Sequence, residues 1–519
     1  MKKTFIIALG LLFCVTQAQN ILWQHKTGGK YADFLNDGIA TLDYGFILAG
    51  ASLSDIGKNT DTGNYDYMLT KYTENGDKEW TKTFNASQTD YLKQIIRCTD
   101  SGYLLGGISN SPNGNDKSVP NLGQFDIWLI KLDINGQIQW QRVLGGRGLD
   151  NINHIIRTND GGYIIGGSSS SDTCEQQTTD PKIIPKQNSC FGNTDYWIVK
   201  LNAQGKSEWQ KTFGGKYKDE LQKIVQLPDG SFILAGNSNS PAGGNKTTPL
   251  QGNNDWWLLK LNSKGDTEWQ KTFGDEADDK ISAMLVTNDG NILVGGYFTY
   301  IDSNKHNNQA DIIIRKIDTK GNLLWQQTFD NQADDILTGM LQNKDGSLIL
   351  GAYTSLHHNK KTFAKGKEDF LLIKTDKQGN EKWRRSIGNR QKEVLKKLLE
   401  TRDGGYVLMG SSMPAHSKGD TNADFLIVKI ADKDKPIHPK LPLEAIPNPA
   451  INYTQAIIGK DYNEGLLEIF DLNGKLLYTR QLDGSRIIPV PVNNYPDGIY
   501  LMRVTADDMQ NSVKIIKGR

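Results

Sequence analysis

Residues able to carry chemistry recur in this chain at fixed spacing. An Asp stands five residues before a Lys, and a Trp nine residues after that Lys. The sets are Asp66/Lys71/Trp80, Asp126/Lys131/Trp140, Asp195/Lys200/Trp209, Asp255/Lys260/Trp269, Asp311/Lys316/Trp325 and Asp369/Lys374/Trp383. Asp and Lys in concert could hold a metal or move protons, and Trp could stack on a sugar. Sevenfold recurrence argues for a framework instead, because a catalytic constellation is asymmetric. Lys residues in largely buried strands need partners, so the series is expected to pair with nearby carboxylates or carbonyls. The Trp residues are expected to dock one module on the next.

Asymmetric candidates are few. The chain has no HExxH, no G-x-S-x-G elbow and no Walker loop. His357-His358 lacks metal-ligand spacing, since adjacent side chains diverge. Asp302 and Asn304 open like a calcium loop without its Gly and terminal Glu, so calcium is the sole metal candidate and no cofactor is expected. His154 could face a central channel, but Gln94, Lys223 and Ala283 at equivalent positions share no role with it.

The elements that position these residues follow from the repeat. An acidic residue lies ten after each Trp (Asp33, Asp90, Asp150, Asp219, Asp279, Asp335, Glu393), and an Asp ten further on (Asp43, Asp100, Asp160, Asp229, Asp289, Asp345, Asp403). The Trp-to-Trp period is 56 to 69 residues, and all the variation lies between the second Asp and the next Asp/Lys pair. Such a period marks repeated modules with one tolerant loop each. Each unit reads as strand A, an Asp-Gly-type turn, an apolar strand B such as Gly45–Gly50, the variable loop, strand C, a turn, and the Trp-bearing strand D. Strand C cores such as 256–261 are apolar at consecutive positions, which predicts burial on both faces.

Asp424 and Lys429 have no Trp after them, and Trp23 has no Asp/Lys pair before it. The strand Ile21–Gly29 therefore supplies strand D to the last unit. A ring removes the edges that an open stack would expose. The expected fold is all-β: a seven-bladed β-propeller over 19–430, closed by its N-terminal strand. This pattern resembles the seven-bladed propeller repeats of secreted bacterial proteins, a resemblance that concerns framework positions and implies no catalytic motif.

Residues 1–18 read as a signal peptide: Lys2 and Lys3, then an apolar run from Phe5 to Phe13 too short to span a bilayer. Phe13 before Cys14 does not fit a lipoprotein signal. Residues 431–444, with three of the sixteen prolines, read as a linker. Residues 445–519, with short apolar strands between DLNG and PDG turns, predict a small β-sandwich. Pro447-Asn448-Pro449, Asp471 with Asn473-Gly474, Gly498 with Tyr500, and Lys514 with Lys517 resemble the type A C-terminal sorting domain of the type IX secretion system of Bacteroidetes. That resemblance implies the type IX machinery as a partner. It implies passage through the periplasm to the medium or the outer-membrane surface.

Hydrophobic content of 37% with 53 Gly suits short strands and tight turns. A net charge of +1 offers no global basic field and excludes nucleic acid as an expected partner. An oxidising compartment predicts a Cys174–Cys190 bridge closing a loop of about 16 residues, worth roughly 3 kcal/mol; Cys98 is expected to be a buried free thiol. The variable B–C loops all leave one end of the ring, and loops on a rigid scaffold commonly bind. Asp55, Asp61, Phe125, Phe298, Tyr300, His357 and His358 are the candidate binding residues there. The expectation is a monomeric binding scaffold for an extracellular glycan or protein. The rival is a polysaccharide lyase or glycosidase with carboxylates at the ring mouth, and a fold shared by both classes does not choose between them.

Overall fold

A computed structural model describes residues 21–29, 31–53, 64–173, 180–299, 309–330, 333–355, 368–389, 391–414, 423–435 and 438–518. Residues 1–20, which include the expected signal peptide (1–18), lie outside these. The described chain is all-β. β1 (Ile21–Thr27) precedes the antiparallel sheet of β2 (Asp33–Ala40), β3 (Phe46–Leu53), β4 (Tyr65–Tyr72) and β5 (Lys78–Phe84). The same order recurs in β6 (Asp90–Arg97), β7 (Tyr103–Ser109), β8 (Asp126–Leu132) and β9 (Ile138–Gly145). β10 (Asp150–Arg157) and β11 (Tyr163–Ser169) follow, then the short β12 (Ile183–Pro185), then β13 (Asp195–Leu201) and β14 (Ser207–Phe213). Next come β15 (Asp219–Gln226), β16 (Phe232–Ser238), β17 (Asp255–Leu261) and β18 (Thr267–Phe273). β19 (Asp278–Val286), β20 (Ile292–Thr299), β21 (Ala310–Ile317) and β22 (Leu323–Phe329) repeat the plan. So do β23 (Asp334–Gln342), β24 (Leu348–Ser355), β25 (Glu368–Thr375) and β26 (Glu381–Ile387). β27 (Lys392–Glu400), β28 (Tyr406–Met413) and β29 (Asp424–Ile430) take β1 as their fourth strand, with Trp23 opposite Lys429.

The first strands stand side by side: β2, β6, β10, β15, β19, β23 and β27 are successive neighbours, and β27 lies beside β2. The arrangement is propeller-like. Middle strands such as β8 and β13 are buried along their whole length because a neighbouring sheet covers each face, whereas the outer β5 alternates with solvent. The cores accordingly lie between sheets. Leu35, Phe46 and Leu48 pack with Val407, Met409 and Phe425 across the junction of first and last units.

Five of the fourth-strand Trp residues, Trp23, Trp140, Trp209, Trp269 and Trp325, lie against the glycine of the next C–D turn. Gly205 has φ +74° and lies so close that a Cβ there would meet the Trp140 ring at 2.9 Å. Trp23 does the same at Gly76, and its indole Nε1 donates to the Glu74 carbonyl at 3.1 Å. The glycine thus answers both a left-handed backbone and a flat ring against it.

The C-terminal part forms a second core between two sheets. One holds β30 (Leu443–Ile446), β31 (Tyr453–Ile458) and β34 (Ile487–Pro491). The other holds β32 (Gly465–Phe470), β33 (Leu476–Leu482), β35 (Gly498–Ala506) and β36 (Met509–Lys517). β30 begins at Leu443, so Glu444 already belongs to this sandwich.

Candidate functional site

Each first strand carries a β-bulge at one place, from Leu35/Asp37 and Leu92/Gln94 round to Leu395/Lys397. A bulge adds a residue to one strand and re-aims its side chains. Consecutive residues of several first strands consequently reach one channel, as with Asn36-Asp37, Lys93-Gln94, Asn153-His154 and Lys396-Lys397. The cavity they line measures about 390 Å³.

The channel breaks the repeat. The Asp37 carboxylate accepts from Ile95 N–H (3.1 Å), Gln94 Oε1 from Ile155 N–H (2.5 Å) and His154 Nδ1 from Ile224 N–H (3.2 Å). At these three places a side chain pairs the backbone that the next bulge leaves open. Lys223 ends the series because an ammonium cannot accept, and Ala283 and Gly339 leave open space beyond it. Burial, then Lys223 and Lys397, hold the His154 pKa well below the usual range, so it is a neutral structural acceptor. Asp37 also pairs with Lys397 at 2.8 Å. Burial, reinforced by Lys397 and opposed by Asp37, lowers Lys223 to about 8, and burial and Lys396 lower Lys93. The lining is therefore mainly cationic.

The mouth at the B–C end is aromatic and basic. Phe34, Tyr65 and Tyr91 form a run with centroids 5.9 and 4.9 Å apart, and Lys93 Nζ lies 5.7 Å from the Tyr91 ring. Two clefts of about 500 and 390 Å³ meet the channel here, one beside Lys280, Tyr297 and Tyr353, the other beside Phe34, Tyr91 and Tyr353. A larger cleft of about 590 Å³ lies at the opposite end, beside Asp434, Lys435 and His438. Its charges are already matched, Lys374 with Asp434 at 2.6 Å and Arg402 with Glu444 at 2.5 Å.

The framework residues resolve into pairs. The strand C lysines meet the A–B-turn Asp of their own unit: Lys131 with Asp100 at 2.7 Å, Lys200 with Asp160 at 2.9 Å, Lys316 with Asp289 at 2.6 Å. Lys374 instead takes Asp432 and Asp434 from the expected linker, which is therefore packed on the sheets rather than loose. The strand C Asp residues fasten the ends of the B–C loops, as Asp126 does by accepting from Leu122 and Gly123 N–H.

Several sequence-predicted site residues are placed differently. Phe298 sits in β20 with its ring in the core, because the strand runs further than its loop-like sequence indicated. Phe125 is half-buried, and its carbonyl accepts from Asp150 N–H at 2.8 Å, joining neighbouring sheets. Asp55, Asp61, Tyr300, His357, His358 and Cys174 lie outside the described residues, as do Asp302 and Asn304. Cys190 is a free thiol whose Sγ donates to the Ser169 carbonyl at 2.9 Å, and Cys98 is buried and free.

The described part of the third B–C loop is held by strand pairing and a buried lysine. β12 adds to β9, Ile184 enters the core, and Lys186 Nζ donates to the Ser171 and Asn188 carbonyls at 2.8 and 2.6 Å. Lys117 and Lys246 play the same part in the second and fourth loops, each over a strand C Trp at 5.7 Å. Their signal was available: each Lys stands nine residues before its strand C Asp. These lysines belong to the scaffold, and the side chains that line the channel and its mouth, which sequence reasoning missed, lie on strand ends and bulges.

The sandwich binds the opposite end of the molecule. Glu74, in a C–D turn, pairs with Lys440 and with Arg486 (3.1 Å), and Tyr44, in an A–B turn, donates to Glu444 at 2.8 Å. Within the sandwich Asn448 donates to the Lys514 carbonyl (2.7 Å) and accepts from Ile516 N–H (2.8 Å). Asp471 caps the turn at Gly474, accepting from Lys475 N–H at 2.9 Å, and Tyr500 donates to the Pro496 carbonyl at 2.7 Å.

Residues 444–518 match the family model of the secretion system C-terminal sorting domain. The chain is thus a secreted or cell-surface protein exported by the type IX route. No helix among the described residues is long and apolar enough to cross a membrane. Over 264 residues the chain is 24% identical to Regulatory protein FlaEY of Caulobacter vibrioides, which covers 48% of this chain and only 27% of that protein. A PL25 ulvan lyase structure aligns over 77% of this chain and 95% of its own, at 9% identity and TM-score 0.47. The NanB sialidase of Streptococcus pneumoniae aligns over 80% and 70%, at 10% identity and TM-score 0.39. These likenesses concern the propeller-like fold alone.

Proposed function

We propose that this protein is an exported seven-bladed β-propeller, closed by β1, that works as a monomeric binding scaffold for an extracellular glycan or protein. The pairing of β1 with β29 and the contact of β27 with β2 support the closed ring. The observation that carries the binding reading is the division of labour between the two ends. The sorting domain engages the A–B and C–D turns through Glu74, Tyr44 and Arg402. The B–C end keeps its aromatic run and its clefts beside the channel. Rigid strand ends suit recognition because little entropy is lost when a ligand arrives.

The test is to screen the intact protein against immobilised extracellular polysaccharides and matrix proteins, alongside a Tyr91→Ala/Tyr353→Ala variant. We expect at least one partner to be retained by the first and about tenfold less well by the second, in line with the loss of aromatic anchors. Equal retention would move the site away from the mouth. Release of new chain ends from a polysaccharide would replace the scaffold reading with an enzymatic one.

A further inference from the structure

We propose that the channel is an anion site, and that it takes the sulfate or carboxylate groups of an acidic polysaccharide whose sugar rings lie on the mouth. This rests on the binding reading above and names its ligand class. The lining brings the ammonium groups of Lys93, Lys223 and Lys397 to face one carboxylate, Asp37, which is already engaged by Lys397. His154 adds no opposing charge, since its Nδ1 is occupied by Ile224 N–H. Like charges crowded into a narrow, low-dielectric space repel, and an entering oxyanion relieves that repulsion while accepting charge-assisted hydrogen bonds. The depressed pKa of Lys223 reflects the same burial and the same neighbour, Lys397.

The asymmetry supports a ligand rather than a framework role. Positions equivalent to Lys223 in the first three units bond the next sheet's backbone, whereas Lys223 makes no such bond and faces space left by Ala283 and Gly339. A whole-protein charge of +1 cannot account for the cluster. The choice of a polysaccharide follows from the mouth. Lys93 lies over Tyr91, which continues through Tyr65 to Phe34, so a run of aromatic faces leads to a cation at the channel. Aromatic faces accept the C–H faces of sugar rings, and the lysines accept their acidic substituents.

The experiment measures binding of the full chain to dextran sulfate, polygalacturonate, neutral dextran, polyglutamate and inorganic sulfate. It compares the native protein with Lys93→Gln/Lys223→Gln and with a control, Lys264→Gln/Lys320→Gln, which removes exposed turn lysines at the other end. The expected result is that dextran sulfate or polygalacturonate binds, and that affinity falls with salt. The channel variant should lose about tenfold or more, as expected for charge-assisted contacts, while the control keeps native affinity. Thermal melts verify that the channel variant remains folded. Neutral dextran binding equally well, or equal losses in both variants, would overturn the proposal. Tighter binding of polyglutamate would make the ligand an acidic peptide, and binding of inorganic sulfate alone would reduce the site to one for a small ion. If Tyr91→Ala abolishes binding of some neutral polymer that the lysine variant still holds, the scaffold reading survives and the anion site fails.

Discussion

At the scale of single residues, the repeated charges are structural, and their burial decides what each substitution does. The Lys200 side chain is only 5% exposed, whereas its partners Asp160 and Glu208 are 59% and 44% exposed. Removing the ammonium leaves two carboxylates that water solvates, and it removes a buried charge with its own desolvation cost. Lys200→Met, which keeps the stem, is therefore expected to lie within about 1 kcal/mol of the native stability. Lys200→Ala also opens a cavity and should cost about 2–4 kcal/mol. Urea titrations of the two variants separate these effects; a large loss in the Met variant would show that the ion pair itself stabilises. That each Lys takes a carboxylate was legible because a buried ammonium needs a partner. Which Asp it meets was not, because the variable loop lies between the two and their separation changes, being 27 residues for Asp289/Lys316 and 40 for Asp160/Lys200. Nor was the exception, Lys374 with Asp432 and Asp434, since those acids lie in a segment without the repeat.

Elements were legible where periodicity and turn chemistry agree. The strand order, the displaced first strand and the docking of Trp residues follow from spacing alone, because the Asp, Lys, Trp and acidic markers hold one register. The bulges were not legible. A bulge adds no characteristic residue, and its consequence is visible only when two neighbouring side chains, such as Asn36 and Asp37, face one space. For the same reason the aromatic and basic mouth was missed in favour of the loops, where variable length drew attention. The orphan strand carries the clearest prediction at this scale. β1 gives the last sheet its fourth strand and sets Trp23 against Gly76 and the Glu74 carbonyl. Deleting residues 21–27 leaves β29 as an open edge, which invites association. The deletion should lower the melting temperature and produce oligomers on size-exclusion chromatography. A monomer with an unchanged melt would mean that β1 does not hold the last and first units together.

At the scale of the whole molecule, the carboxylates near the B–C end act together on stability. Burial is the largest influence on each: it raises Asp126, Asp335 and Glu393 to about 7, and Asp90, Asp195, Asp279 and Asp311 to about 6. Neighbouring acids across a sheet junction push further, Asp150 on Asp126, Asp219 on Asp195 and Asp369 on Glu393. A raised folded pKa means that the native state holds a proton which the unfolded chain releases near pH 4. Stability from this series is present below that pH and is lost as pH rises through about 6 and 7. The A–B-turn acids work in the opposite sense. Their lysine partners and turn hydrogen bonds hold Asp160 at about 2 and lower Asp403, so their contribution is present above pH 4 and fails only in stronger acid. Asp160 is largely exposed, and solvent screening reduces its share. Between pH 5 and 7.5 the first series outnumbers the opposing group, His154, which the fold keeps neutral and the unfolded chain protonates below about 6.5. The protein should therefore melt several degrees higher at pH 5 than at pH 7.5. Asp126→Asn/Asp335→Asn replaces two carboxyls with groups that do not ionise, and the gap between the two melts should shrink. A protein that melts higher at pH 7.5, or a variant with the native gap, would show that these acids are ionised throughout and are stabilised in that form by the backbone N–H groups around them.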